Sequence, residues 1–292
     1  MDLSIIIVSY NTSQITKDCI ESVILSLEDS QIKYEIVVID NDSSDDSVEQ
    51  LKILKTKYKQ ILLLESDKNI GFGPANNLGV KKSKGDYILL LNSDTVVLNH
   101  AIEKLLEFTK SNPKAHFVGG KLLNKDMTPQ ASAAPFYSLP VVFAALFLKG
   151  DYWGLTRNSP SKTCKVDWVS GACILTKKEY FGKLDGFDED VFLYMEEVDL
   201  LYRAKQLGFN TYFFPDAQFI HIGFASSGNR SKPIVQVFKG FQYLYKKHYS
   251  PTSQTLLKTM LQLKVAISLF IGRVAKNKYL INTYEEAETL IK

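Results

Sequence analysis

Short apolar runs alternate with amphipathic segments over the first part of the chain, up to about residue 115. The runs at residues 3–9, 35–39, 61–64 and 87–91 are rich in branched aliphatic side chains, which is typical of strands buried in a parallel sheet. Helices are predicted at residues 15–27, 48–58, 76–82 and 100–110. This alternation predicts an α/β fold with a mostly parallel central sheet and helices on both faces.

The pattern loosens in the rest of the chain. Residues 117–123 and 166–176 are predicted strands, while 126–165 are loop-rich and contain four prolines. A helix is predicted at 194–207, followed by extended segments at 209–215 and 218–222. From residue 234 onward the chain is predicted to be a helical tail.

Composition narrows the classes of protein without choosing one. The chain has 292 residues, of which 45% are hydrophobic and 23% charged, as in an ordinary protein with a sizeable core. A net charge of +3 with no dense basic run argues against nucleic acid as a partner. The cysteines lack CxxC or metal-ligand spacing, which favours reduced thiols in the cytoplasm. We expect no signal peptide and no membrane-spanning helix, because no apolar run reaches about 20 residues without a charge.

Polar clusters follow three of the predicted strands. They are Tyr10-Asn11, Asp40-Asn41-Asp42 and Asn92-Ser93-Asp94. Ligands of open α/β sheets bind outside the carboxyl ends of the strands, so we expect these clusters to meet at one edge. Asp94 there could be a hard oxygen ligand for Mg²⁺ or Mn²⁺, and the alternative is a turn or a helix cap. Asp40 could accept the imide N–H of uracil or thymine, or it could be a turn residue.

Residues 68–79 form a Gly-rich stretch that opens a helix. Gly71 and Gly73 would let the backbone approach a diphosphate or a ribose, and a plain loop is the alternative. A dinucleotide fingerprint is disfavoured, because Asn76 stands at the third glycine's position and the stretch follows the third strand. The absence of GxxxxGK[ST] from the sequence excludes a P-loop NTPase.

Acidic and aromatic residues cluster between residues 188 and 203. Glu196 and Glu197 leave a helix about 100° apart and can have different roles, a general base among them. The alternative for both is a solvated helix start, where acids complement the dipole. Asp199 and Arg203 are four residues apart, and we interpret them as a pair on the helix surface. His221 is either a structural residue or a metal ligand.

Taken together, these segments resemble the family 2 glycosyltransferases of the GT-A fold, and most of all the bacterial branch of rhamnosyl- and galactofuranosyl-transferases. The matching segments are SIIIVSYN, VVIDNDSSDDS, NIGFGPANNLG, YILLLNSD, VDWVSGACILTKKEYF and GFDEDVFLYMEEVDLLYR, followed by His221. The resemblance runs from residue 3 to about 223. It implies a GT-A catalytic domain at 1–232, with a nucleotide-sugar-binding half (1–98) and an acceptor half (99–232), and a helical extension at 233–292.

The resemblance also implies roles for individual residues. Glu197 would be the catalytic base, at a position where the family usually has Asp. Asp94 and His221 would hold Mg²⁺ or Mn²⁺, since Asn92 replaces the first Asp of the family's metal-binding motif. The implied donor-binding residues are Ser9, Tyr10, Asn11, Asp40, Asn41, Phe72, Asn76, Asn92 and Ser93. The implied acceptor or sugar pocket is formed by Trp168, Gly171 and Glu196, and core packing stays open as an alternative for Trp168.

The implied reaction is an inverting transfer of a sugar from a UDP- or dTDP-linked donor to a hydroxyl of a glycan or lipid-linked acceptor, in cell-surface polysaccharide synthesis. Two other classes stay open. A nucleotidyltransferase is disfavoured because SYNTSQ, after the first strand, has neither glycine nor lysine. A non-catalytic carbohydrate-binding protein on a degenerate transferase fold remains an alternative because Asn92 and Glu197 depart from the family's acids.

Residues 256–275, LLKTMLQLKVAISLFIGRVA, are apolar over much of their surface but carry Lys258, Lys264 and Arg273. One interpretation places this helix at a membrane surface, where basic residues meet anionic lipid. The other packs it on the domain or on a second subunit in a homo-oligomer. We therefore expect a cytoplasmic protein, with peripheral contact to the inner face of the cell membrane as an alternative that stays open.

Overall fold

The computed structural model describes residues 1–191, 194–223 and 233–291. These residues form two compact units. The first unit contains residues 1–135, 157–191 and 196–223, and the second contains 136–156, 194–195 and 233–291. The second unit thus combines the helical tail with a segment from the middle of the sequence. The domain boundary predicted at residue 232 lies outside the described residues.

The first unit begins with four parallel strands and the helices that connect them. The strands are β1 (Leu3–Ser9), β2 (Tyr34–Asp40), β3 (Ile61–Glu65) and β4 (Tyr87–Asn92). The helices are α1 (Ser13–Ser26), α2 (Ser47–Lys57) and α3 (Phe72–Lys82). Their order in the sheet is β3-β2-β1-β4. The centres of β1, β2 and β4 are buried, because their continuous apolar runs have helices on both faces.

The rest of the first unit extends this sheet in a mixed arrangement. Its next elements are β5 (Thr95–Val97), α4 (Ala101–Ser111), β6 (Phe117–Leu123), β7 (Pro129–Gln130) and β8 (Ala133–Ala134). After α5 (Leu139–Phe147), which belongs to the second unit, come β9 (Cys164–Val166), β10 (Trp168–Val169), β11 (Cys173–Lys177), α6 (Lys178–Lys183), α7 (Glu196–Gln206) and β12 (Thr211–His221). The sheet continues from β4 in the order β11-β6-β12-β5. β11 runs antiparallel to β4 and β6, whereas β12 is parallel to β6. The predicted α/β class is confirmed, and the continuously parallel part of the sheet consists of β3, β2, β1 and β4.

Three local predictions differ from the structure. α3 begins at Phe72 rather than at residue 76, because Pro74 lies in its first turn, where a missing N–H costs nothing. The single strand predicted at 166–176 is wrong, because the chain leaves the strand conformation at residues 170–172 and separates β10 from β11. The two extended segments after residue 208 form one strand, β12, with an irregularity between Phe214 and Gln218 that accommodates Pro215.

The second unit is helical, as predicted for the tail. It contains α5, α8 (Pro233–His248), α9 (Pro251–Val274) and α10 (Lys278–Leu290), and α9 packs against the other three helices. Tyr245 is buried and donates its hydroxyl hydrogen to the carbonyl of Tyr137 at 3.0 Å. Among the described helices, only α9 is long and apolar enough to cross a membrane by length and composition, although a third of its most apolar window is buried. The sequence had led us to expect no such helix.

Candidate active site

The carboxyl ends of β1, β2 and β4 lie side by side. Ser9 pairs in register with Asp40 across β1 and β2, and Val8 pairs with Asn92 across β1 and β4. Half-buried Tyr10 follows directly after Ser9. The polar residues at these three strand ends therefore share one edge of the sheet, as the topology of an open α/β sheet predicts.

At this edge Asp40 carries an acceptor atom that is buried and unused. Asp40 is 2% exposed, and its Oδ2 accepts a hydrogen bond from the backbone N–H of Ser43 at 3.0 Å. Its Oδ1 has no hydrogen-bond partner among the described residues. Asn11, in the left-handed region at φ 51°, accepts from the Ser44 N–H at 2.7 Å and ties the end of β1 to the same loop. A buried carboxylate oxygen without a donor is costly, so this site is built to receive an N–H or O–H group.

The Gly-rich stretch is fixed against the end of β2 by Asn41. The Asn41 Oδ1 accepts from the Ile70 N–H at 3.0 Å, and its Nδ2 donates to the Gly71 carbonyl at 3.3 Å. Asn76 is buried and donates its Nδ2 to the Phe72 carbonyl at 2.9 Å, inside the first turns of α3. Both amides are therefore used to shape the amino-terminal end of α3, while Phe72 remains partly exposed beside it.

Asp94 and His221 lie together at the turn between β4 and β5. The His221 Nε2 is 3.3 Å from the Asp94 Oδ1 and 3.3 Å from the Asn92 Nδ2. Ser93 and Asp94 are buried, and the Asn92 Oδ1 is buried with no partner in the described parts of the chain. In those same parts no group of three His, Cys, Asp or Glu side chains could hold a metal ion. The cluster thus consists of one carboxylate, one imidazole and one carboxamide, whose Nδ2 faces the imidazole.

Gln130 fixes the orientation of the His221 ring. Its Oε1 lies 2.6 Å from the His221 Nδ1, and its Nε2 donates to the Asn124 Oδ1 at 3.1 Å and to the His221 carbonyl at 3.2 Å. Because these two acceptors identify the amide nitrogen of Gln130, the atom facing Nδ1 is an oxygen, and Nδ1 must carry the hydrogen. Nε2 therefore faces Asp94 and Asn92, and the bond at Nδ1 holds the ring in the way that proteins orient a metal-ligating histidine.

Glu197, at the start of α7, contacts Gly171, which directly precedes Ala172 in the chain. The Asn92 N–H donates to the Ala172 carbonyl at 3.0 Å. A Cβ built on Gly171 would lie 3.5 Å from the Glu197 Cβ, which is ordinary van der Waals contact, so the two residues are direct neighbours. Gly171 and Ala172 thus place the Glu197 side chain close to the strand end that carries Asn92.

The two adjacent glutamates have different surroundings. Glu196 is 7% exposed, and its Oε2 has no partner among the residues described. Burial, and then the charge of Glu197, raise the pKa of Glu196 to about 8. Burial also raises the pKa of Glu197, but the N–H groups of Glu197, Gly171 and Val198 and the guanidinium of Arg157 oppose that rise. Glu197 is therefore the member of the pair that more readily carries a negative charge.

Asp199 is paired as the sequence predicts, but the pair is buried. Its Oδ2 accepts from the Arg203 Nε at 2.8 Å, with Asp199 fully buried and Arg203 18% exposed at their side chains. Arg203 also donates to the carbonyls of Leu184 and Gly186. From the other side, Asn77 brackets Phe187 by accepting from its N–H and donating to its carbonyl, both at 2.9 Å. These contacts fix the segment that leads toward the two glutamates.

Trp168 lies in the core, and Arg157 lies over it. Trp168 is 2% exposed and donates its Nε1 hydrogen to the Pro135 carbonyl at 2.8 Å. The Arg157 guanidinium carbon is 5.6 Å from the centroid of the indole, and its Nη2 donates to the Ala131 carbonyl at 3.2 Å. The Arg157 Nε is buried with no partner in the described residues. We did not predict Arg157 from the sequence, because no local pattern connects it to Glu197.

Comparison with known proteins identifies the family. Residues 4–184 match the family model described as Glycosyl transferase family 2. The chain is 28% identical over 214 residues to the N-acetylglucosaminyl-diphospho-decaprenol L-rhamnosyltransferase of Mycobacterium tuberculosis (strain ATCC 25618 / H37Rv). The aligned region covers 66% of this chain and 68% of that protein. It is 27% identical over 237 residues to the rhamnosyltransferase WbbL of Escherichia coli (strain K12), covering 78% of this chain and 85% of that protein.

A solved structure shares the fold. The crystal structure of GalNAc-T7 with UDP, GalNAc and Mn²⁺ superposes with a TM-score of 0.63 at 16% sequence identity. The match covers 84% of this chain but only 47% of that longer chain. The predicted GT-A fold is confirmed by this likeness. Since the family model covers more than half of the residues, the protein belongs to glycosyl transferase family 2 and is a glycosyltransferase similar to rhamnosyltransferases.

Proposed function

We propose that this protein is an inverting, metal-dependent transferase that moves a sugar from a UDP- or dTDP-linked donor to a hydroxyl of a glycan or lipid-linked acceptor in cell-surface polysaccharide synthesis. The observation that carries the proposal is the preoriented Asp94–His221 pair, 3.3 Å apart. It lies on the turn after Asn92, at the sheet edge that also holds the unused acceptor of Asp40.

Asp40 supports a uridine or thymidine nucleotide as the donor. Its Oδ1 needs a donor group, and the imide N–H of uracil or thymine supplies one, whereas the corresponding ring nitrogen of cytosine is itself an acceptor. We assign the nucleoside to residues Ser9, Tyr10, Asn11 and Asp40, and the sugar-phosphate to Phe72 and the backbone before α3. Asn41 and Asn76 act by shaping that backbone. The rhamnosyltransferase relatives favour rhamnose as the sugar.

The Asp94 cluster fits a divalent cation such as Mg²⁺ or Mn²⁺. Asp94 offers a carboxylate oxygen, His221 the lone pair of Nε2, and Asn92 an unused amide oxygen. When bound, such an ion would neutralise charge on the leaving diphosphate. Because the chain contributes few ligands of its own, oxygens of the donor and water would complete the coordination. The GalNAc-T7 structure, which contains UDP and Mn²⁺, supports this assignment.

Glu197 is the proposed general base. It removes the proton from the acceptor hydroxyl, the oxygen bonds to the anomeric carbon, and the bond from that carbon to the diphosphate breaks with its electron pair leaving on the nucleotide. The transition state has oxocarbenium character, which nearby carboxylates stabilise. Glu196, whose raised pKa keeps it protonated more readily, and Gly171 line the sugar or acceptor side. Trp168 supports this side from the core.

The proposed halves of the catalytic domain are residues 1–98 for the donor and 99–232 for the acceptor. The Mycobacterium tuberculosis relative is named for an acceptor sugar attached to a lipid diphosphate, which favours a lipid-linked acceptor here.

Cytoplasmic location is supported by the three free cysteines, of which Cys19 and Cys173 are buried.

The test is an assay of nucleoside diphosphate release from a panel of UDP- and dTDP-sugars, with and without Mn²⁺ or Mg²⁺ and with a polyprenyl diphosphate-linked sugar as acceptor. We expect release with one donor that depends on both the cation and the acceptor. Pyrophosphate release from a nucleoside triphosphate would instead indicate a nucleotidyltransferase. Sugar binding without any release would indicate a non-catalytic protein.

A further inference from the structure

The second unit exposes an apolar stripe along α9. Leu256, Leu263, Ile267, Phe270, Ile271 and Val274 are all exposed, and Phe270 and Val274 each by 70%. At about 100° per residue they lie on one side of the helix. The buried residues of the same helix lie on the other side: Leu257, Leu261, Val265, Leu269 and Gly272. The stripe is thus separate from the face with which α9 packs on its own unit.

The charged side chains on the stripe's own helix, α9, are all of one sign. The charged side chains of α8 and α9 are all basic, and between residues 233 and 291 eight Lys or Arg residues stand against three Glu residues, which are all in α10. Lys264 and Arg273 lie at the two margins of the stripe's carboxyl-terminal half, where long side chains can extend toward a polar layer. The surface is therefore apolar in its middle and positive at its rim.

A second exposed group lies in the same unit after α5, a helix that packs on α9. Tyr152 is 79% exposed and Trp153 is 68% exposed, with their rings in an edge contact at 5.0 Å. Leu148 and Leu155, on either side of them, are also exposed. Tyr and Trp favour the membrane interface, because their rings are apolar and their polar ends remain hydrated.

We propose that the α9 stripe, together with Tyr152 and Trp153, docks the protein on an anionic lipid bilayer surface. This contact goes beyond the proposed transfer reaction and does not depend on it. α9 lies along the surface rather than crossing the bilayer, because Leu257, Leu261 and Val265 are already buried in protein. A basic rim around an apolar helix face is the pattern of interfacial helices, whose binding adds apolar burial to attraction for anionic lipid.

A second copy of the chain is the less favourable occupant. Two α9 stripes packed against each other would bring Lys264 and Arg273 of one copy near basic residues of the other, with no acid on α9 to offset them. Like charges across an interface disfavour association. Anionic headgroups supply the opposite charge directly.

The test is co-sedimentation of the full chain with vesicles of phosphatidylcholine alone or mixed with phosphatidylglycerol. We expect binding to the mixed vesicles that weakens as salt rises, and little binding to phosphatidylcholine. The double variant Trp153→Ser, Phe270→Ser should bind at least about tenfold more weakly, because two exposed aromatic side chains no longer enter the lipid.

The matched control is Leu25→Ser, Ile53→Ser, which removes two exposed apolar side chains (69% and 54%) from the first unit. It should bind vesicles like the parent protein. The proposal is overturned if the parent stays in the supernatant with anionic vesicles, or if both double variants lose binding equally. If the protein does not bind vesicles but forms a dimer, and Phe270→Ser dissociates that dimer, then the stripe is the contact with a second copy instead.

Discussion

The Nε2 atom of His221 lies 3.3 Å from the Oδ1 atom of Asp94, so two candidate metal ligands, one from the end of β12 and one from the turn between β4 and β5, lie side by side. The backbone explains the proximity, since His221 pairs with Thr95 across β12 and β5, and the Ile222 N–H donates to the Asp94 carbonyl at 2.9 Å. Gln130 then sets which imidazole nitrogen is available. The two side chains are therefore held in place by the backbone and by Gln130.

Glu197→Gln should lower turnover by at least about 100-fold, because the variant cannot accept the acceptor's proton. Binding of the nucleoside diphosphate should stay unchanged, which initial rates together with calorimetry would show. Glu179→Gln is the control, since it also replaces a glutamate with an amide but at an exposed position. Near-full activity of Glu197→Gln would place the base elsewhere, with Glu196 next in line.

Asp199→Ala should act on stability. It leaves Arg203 without its buried partner, and we expect a loss near the lower end of the about 3–5 kcal/mol typical of broken buried pairs, because Arg203 retains some exposure. Asp167→Ala breaks the more exposed pair with Lys205 and should cost less than about 1 kcal/mol. Urea unfolding measures both. Equal losses for the two variants would contradict the buried pair.

Asp40→Asn should weaken the preference for UDP over CDP by about 10- to 100-fold, in line with about 1–3 kcal/mol for an unsatisfied buried group. The asparagine oxygen can keep the bond from the Ser43 N–H, which turns its NH₂ toward the base. That group opposes the imide N–H of uracil and suits the acceptor nitrogen of cytosine. Competition binding of the two nucleotides measures the ratio, and an unchanged ratio would remove Asp40 from base recognition.

Arg157→Met should shift the pH dependence of kcat/KM. The guanidinium lowers the pKa of Glu197 against the effect of burial, so its removal raises that pKa. The base must be deprotonated to act, and the acidic limb of the profile should therefore move to higher pH. In Arg157→Lys, which retains the positive charge, the acidic limb should lie close to its pH in the parent protein. A uniform loss of activity with no shift would show that Arg157 only supports Trp168.

The strand ends could be predicted because their cause is local. The buried runs of β1, β2 and β4 fix where each strand ends, and parallel pairing then brings Ser9, Asp40 and Asn92 together. Asp199 and Arg203 could also be paired from their spacing, although the sequence did not show that the pair is buried. In these cases the sequence of one element, or of strands that share one sheet edge, determines which residues lie together.

Other parts depend on contacts between distant segments, which no local pattern records. Gln130 acts through its bonds to His221 and Asn124, and Arg157 is connected to the site through Trp168 and Glu197. The prolines around residues 139–147 predict loops there, but the segment forms the helix α5, because Pro140 lies in its first turn, where proline is tolerated.

The most direct measurement is calorimetric titration of UDP into the parent protein and into Asp94→Asn, each with and without Mn²⁺. We expect Mn²⁺ to tighten UDP binding to the parent by at least about tenfold, or about 1.4 kcal/mol, and to have little effect on the variant. Without Mn²⁺ the two proteins should bind UDP alike, because Asp40 is intact in both. Equal affinities with and without Mn²⁺ in the parent, or an equal gain in Asp94→Asn, would contradict a metal-assisted donor site at Asp94 and His221.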